Sequence, residues 1–177
     1  MKICFTGHRP KDLLGYGADY RPIFNSIKDQ LKNLLASYGS EEVTVITGGA
    51  QGVDQMAFWA AWHLEHDDCL PIKTVVAVPF AGQASRWKQG DVFGQKAYYT
   101  MLKLADEVVV LSDNANDAIQ KLDKRNRWMV DNSDLVIAVT PYDNIAERHG
   151  GTGNCVRYAI KTGKLYTIFD ISKEVNK

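Results

Sequence analysis

The chain has 177 residues, 45% hydrophobic and 24% charged, ordinary proportions for a single soluble globular domain with a sizeable core. Lysine plus arginine equals aspartate plus glutamate at 21 each, so no basic excess advertises nucleic acid, and no apolar run approaches the length of a membrane span. Three widely spaced cysteines (Cys4, Cys69, Cys155) and four histidines show neither a disulfide framework nor metal-ligand spacing, which suits reduced thiols in a cytoplasm.

In chain order, Lys2 to Phe5 reads as a first buried strand, preceded only by Met1 and so by no signal peptide. A helix from about Pro22 to Tyr38 follows, with Ile23, Ile27, Leu31, Leu34 and Leu35 on one face and Gly39 as its stop. Val43 to Thr47 is a second strand, and about Val53 to His66 a helix apolar almost all round. Ile72 to Pro79 is a third strand. A long loop then leads to a helix over roughly Gly94 to Ala105. Glu107 to Leu111 is a fourth strand, Ala115 to Asn132 a helix, and Leu135 to Thr140 a fifth strand. A helix after Gly153 ends at Gly163, and Leu165 to Phe169 is the last strand. This alternation predicts one α/β domain over residues 1–177, with a mainly parallel sheet and helices on both faces.

In such a sheet, ligands bind beyond the carboxyl ends of the strands, where strand order reverses. Four loops at those ends carry chemistry. After the first strand, Thr6-Gly7-His8-Arg9-Pro10 brings a glycine exit, a guanidinium fork for phosphate or carboxylate, and a histidine that can stack on a base or move a proton. After the second, Gly48, Gly49 and Gly52 surround Ala50 and Gln51, with Asp54 in the first helical turn. Asp54 can cap the helix, hold a ribose hydroxyl or position a water, and spacing does not choose among these. The Gly-x-Gly-x-x-Gly fingerprint and the Walker lysine are both absent, which excludes an ordinary dehydrogenase or ATPase pattern.

After the third strand, Phe80, Gln83, Arg86 and Trp87 could stack on a base and bind phosphate or ribose, with Arg86 ranked first; the aromatics could equally plug the core. After the fifth strand, Gly150-Gly151-Thr152-Gly153-Asn154 forms a second glycine turn opening a helix, the usual place for an anion. Glu147 just before it is the nearest carboxylate for acid–base chemistry. On the preceding helix, Arg125 and Asn126 could reach the ligand edge, while Lys124 and Arg127 read as a solvated face. Trp59 and Trp62, on the all-round apolar helix, suggest a contact with a second subunit.

These stretches, together with Gly52-Val53-Asp54-Gln55, Trp128 to Asn132, and Cys155, Val156, Tyr158 and Ala159, resemble the YpsA-like family of the SLOG superfamily. That superfamily joins the DNA-processing protein DprA to the LOG cytokinin-activating hydrolases. The resemblance spans nearly the whole chain and implies a Rossmann-like fold with a nucleotide-derived ligand at the glycine turns. The LOG pattern follows its second glycine turn with a threonine and a catalytic glutamate. Here Asn154 stands at the threonine position, and Cys155 to Tyr158 bring no carboxylate. The expectation is therefore a ligand sensor or regulatory domain for an ADP-ribose-like or NAD-like molecule. It requires no further cofactor and no metal, and is placed in the cytoplasm as a homodimer or higher homo-oligomer. An N-glycosidic hydrolase is the alternative; single-strand binding in the manner of DprA ranks third, disfavoured by the neutral charge.

Overall fold

Six short, mostly apolar runs form the strands β1 (Lys2–Gly7), β2 (Val43–Thr47), β3 (Ile72–Val78), β4 (Glu107–Val110), β5 (Leu135–Thr140) and β6 (Leu165–Asp170). In the computed structural model, which describes residues 1–39 and 42–175, they make one sheet in the order β4-β3-β2-β1-β5-β6 with every pairing parallel. Parallel neighbours need crossover connections, and the intervening helices supply them. These are α1 (Arg21–Tyr38), α2 (Val53–His66), α3 (Gln95–Leu104), α4 (Ala118–Asp131) and α5 (Gly151–Lys161), with a single terminal turn α6 (Ser172–Val175). The result is an α/β domain consistent with a Rossmann-like fold.

Alternation along each strand sorts the core into two layers. Ile3, Phe5, Val43 and Val45 face α1 and α2, where Ile23, Ile27, Leu31 and Leu35 repeat every four residues and are buried. Cys4, Ile46, Val75 and Ala77 face the other way, against Met129 and Val130 of α4 and Cys155 and Ala159 of α5. A further cluster on the first layer ties Val76 and Val78 to Tyr98 and Met101 of α3. Helices on both faces explain why the inner strands are continuously apolar.

Boundaries differ from the sequence expectation at informative places. β1 runs on to Gly7, and a 3-10 turn at Pro10–Asp12 follows it. α4 starts at Ala118, after Asp117 in the left-handed region, because Asn114 holds the preceding loop through its side chain and carbonyl. α5 begins at Gly151, so the second glycine turn is the helix's own first turn. Gly150, at φ +116°, provides the reversal into it that a side chain would resist.

Candidate functional site

β1 and β5 lie side by side, yet the chain leaves them towards opposite edges, β1 feeding β2 and β5 feeding β6. Their following loops diverge, and a crevice opens at the strand ends, as the topology of such sheets requires. A cleft of about 1550 Å³ fills it. It is walled by the β1 loop (Thr6 to Arg9, Lys11 and Asp12), by α4, and by the segment from Tyr142 to Asn154; Ala50 and Asp54 also line it.

The floor is a buried ion pair. Arg125 Nη1 lies 3.4 Å from Asp54 Oδ2, and each side chain is only 7% exposed. The same Oδ2 accepts the Ala50 N–H at 3.3 Å. Burial pushes the Asp54 carboxyl above its ordinary range, while Arg125, the Ala50 N–H and Arg9 act to keep it ionised. Gly48 explains how the guanidinium fits, because a Cβ at that position would overlap Arg125 itself. Arg125 Nε donates to Asn126 Oδ1 at 3.0 Å, which fixes the orientation of that amide.

The wall is built around Tyr142. The Arg148 guanidinium lies 3.5 Å from the centre of its ring, and the His8 ring meets it edge-on at 5.3 Å. His8 Nε2 is 2.9 Å from Thr140 Oγ1, an oxygen that also accepts the Tyr142 N–H. Burial lowers the His8 pKa, so the ring is neutral at pH 7. Arg157 reinforces the segment from below, donating to the carbonyls of Ala146 and Arg148 and to Asn154 Oδ1.

The two glycine turns now part company. In the first, the Val53 N–H donates to the His8 carbonyl and the Ala50 N–H to Asp54, so acceptors of the chain itself occupy them. In the second, no side chain caps the α5 N-terminus, and Gly150, Gly151, Thr152 and Asn154 all face the cleft. Arg9, Lys11, Lys124 and Arg148 line the same cleft, and none forms a salt bridge among the described residues. Uncapped amides beside unpaired cations suit an anion.

Of the residues expected at the site, the structure brings Thr6, Gly7, His8, Arg9, Asp54, Arg125, Asn126, Gly150, Gly151, Thr152 and Asn154 to this cleft. Gly48, Gly49, Gly52 and Gly153 shape its supports without lining it. Phe80, Gln83, Arg86 and Trp87 lie elsewhere. Trp87 packs edge-on against Tyr98 under α3, Gln83 bonds the Gly48 carbonyl, and Arg86 is exposed. The physical reason is position: β3 is two strands away from the reversal between β1 and β5. Lys11 and Tyr142 escaped sequence reasoning, although Tyr142, two residues beyond β5, obeys the strand-end rule that found the others.

Thiol chemistry has no place here. Cys155 and Cys4 are buried, and burial pushes Cys155 up to about 11 and Cys4 higher as well, so both stay protonated. Among the described residues no three His, Cys, Asp or Glu side chains gather to hold a metal ion, and no helix is long and apolar enough to cross a membrane.

Residues 3–173 match the model of the family described as the YspA SLOG family, YpsA. The chain is 32% identical over 168 residues to the uncharacterized SPbeta prophage-derived protein YoqJ of Bacillus subtilis (strain 168), across 88% of this chain and 92% of that one. It is 26% identical over 136 residues to the UPF0398 protein YpsA of the same organism, across 76% and 73% of the two chains.

Proposed function

Because the chain belongs to the YspA SLOG family, we propose that its β1/β5 cleft binds a phosphate-bearing, nucleotide-derived small molecule, of ADP-ribose or NAD type, as a sensor or regulatory domain. The observation that carries this reading is the uncapped N-terminus of α5 opening into a large cleft beside the unpaired Arg9, Lys11 and Arg148. A phosphate there meets backbone N–H groups, the positive end of the helix dipole and cations that no carboxylate holds. The Tyr142 ring and the Arg148 plane offer flat surfaces for a base. The cell compartment proposed is the cytoplasm.

Sensing is preferred to turnover for a chemical reason. Hydrolysis of an N-glycosidic bond needs a carboxylate able to take a proton from water or to stabilise the developing cation. The first turn of α5 and the residues just after it supply none: Asn154, Cys155 and Arg157 stand there. Asp54 is engaged by Arg125 and a backbone amide, and Glu147 sits on the exposed rim, within 3.4 Å of the Asn144 amide.

The test is a panel of AMP, ADP, ADP-ribose and NAD. Calorimetry and thermal shift measure binding, and chromatography of the recovered ligand measures its fate. The expected result is saturable binding of at least one compound, recovered intact. If none binds, the cleft reading fails. Release of free base would replace the sensor with the hydrolase and put Glu147 at its centre.

A further inference from the structure

Helices cover both faces of the inner strands, whereas β4 is bare. It has the composition of an inner strand, Glu107-Val108-Val109-Val110-Leu111, yet it ends the sheet, and among the described residues no helix packs across it. Val108 is 37% exposed, Val110 51%, and Leu104 at the end of α3 41%. The edge itself is open at two residues. Leu111 donates its N–H to the Val78 carbonyl, so by strand alternation Val109 and Glu107 also turn their backbone groups to β3, and Val108 and Val110 turn theirs outward. The next outward positions are taken by the chain itself: the Asp106 N–H donates to Thr74 Oγ1, and the Ser112 carbonyl accepts the Ala81 N–H. A lysine, a proline or a bulge would blunt such an edge, and Glu107 to Leu111 hold none of them.

We infer that β4 is a dimerisation edge, which a second copy of this chain pairs antiparallel about a two-fold axis at Val109, so that two sheets become one. The register follows from the open groups. Val108 set opposite Val110 of the second copy, and the reverse, exchanges both N–H···O bonds in each pair and uses every outward group. An axis at Val108 would instead bring Val110 to the occupied Asp106 N–H, and an axis at Val110 would bring Val108 to the occupied Ser112 carbonyl. The side chains agree with this register. Val108 and Val110 share one face, so the exposed valines of both copies meet across the seam as β-branched cross-strand pairs. The charges agree as well. Glu107 comes opposite Leu111 of the second copy, and the exposed Asp113 comes opposite Ala105, two residues from the exposed Lys103. The Asp106 carboxylate is turned away, to the N–H and hydroxyl of Thr74. Two short paired strands bury less than the roughly 1,600 Å² of a standard interface, so the dimer forms reversibly as concentration rises.

Sedimentation velocity of the full chain over a concentration series tests the edge. The wild type is expected to pass from monomer to dimer. Val110→Lys, at an exposed position, is expected to stay monomeric over the same series. Val110→Pro removes an outward N–H and none of the β3 ladder, and is expected to weaken association at least tenfold. A wild type that is monomeric throughout overturns the inference, and so does a dimer that both variants leave intact, whichever surface then holds it. The register is tested by cross-linking, which leaves the contact in place. In a Cys69→Ser background, which removes the exposed native thiol, Val109→Cys sets two thiols face to face on the axis. Oxidation by dioxygen with copper phenanthroline is expected to join them at least tenfold faster than in Val108→Cys, whose neighbour across the seam is Val110. Equal rates in the two variants overturn the antiparallel pairing at Val109.

Discussion

At the scale of single residues, cleft placement and exposure separate two arginines that look alike in the sequence. Arg9 lines the cleft into which the α5 N-terminus opens, whereas Arg86 is exposed on the loop after β3. Arg9→Ala should weaken binding of the best nucleotide in the panel at least tenfold with little change in melting temperature, and Arg86→Ala should change neither. Calorimetry on both variants checks this, and an unchanged affinity in Arg9→Ala would remove Arg9 from the site. Arg125 belongs to a different class. Replacing it with alanine leaves the Asp54 charge buried and uncompensated, a loss of about 3–5 kcal/mol in denaturant unfolding. Replacement of Gly48 by alanine drives a Cβ into the same guanidinium and should be comparably severe.

At the scale of elements, the contrast lies between the helix starts of α2 and α5. The α2 start is filled by its own chain, and the α5 start is open. A Cβ on Gly151 would meet only the Asn126 amide at an ordinary 3.6 Å, and alanine is a better helix former than glycine. Gly151→Ala should therefore keep or slightly raise the melting temperature while losing most nucleotide binding, since the methyl group occupies the anion's approach. Full affinity in that variant would mean the turn is structural only. The outer stripe of α2 is where the sequence reading puts a second-subunit contact. Trp59 and Trp62 are half-buried, Trp62 stacked on His66 with ring centres 4.1 Å apart, so the chain itself covers part of this stripe. If a second copy covers the rest, Trp59→Glu with Trp62→Glu yields a monomer by sedimentation velocity. A wild-type protein that sediments as a monomer at every concentration ends the idea.

For the whole molecule, the fold was legible because the strands are short, mostly apolar runs separated by helical segments, α1 keeping a four-residue repeat at Ile23, Ile27, Leu31 and Leu35. The strand-end rule made part of the cleft lining legible. The expected residues that lie outside the cleft, Arg86 and Trp87 among them, obey that rule as well as His8 does; only strand order, a long-range property, tells β3 from β1. Equally invisible was the partnering of the first glycine turn, since no spacing reveals that Ala50 donates to Asp54.

The same global architecture couples stability and binding to pH through His8. Burial lowers its pKa in the folded protein below the ordinary 6.5, so the unfolded chain takes up the proton first as pH falls. This contribution to stability is present above about pH 6.5 and is lost as pH falls towards the folded value. Asp54 acts with the opposite sign. Its raised folded pKa makes its burial cost smallest in acid, with relief growing as pH falls from the folded value to the ordinary 3.8. Between pH 7 and 5 the difference between the wild type and His8→Gln isolates the His8 effect, because Asp54 is common to both. Melting temperature should fall over that range in the wild type and fall less in His8→Gln. Binding should move the other way, because a phosphate in the cleft favours the protonated ring and so binds more tightly as pH drops through the same interval. Parallel pH profiles of stability and affinity in wild type and variant would place His8 outside the ligand's field, leaving it only the structural bond to Thr140.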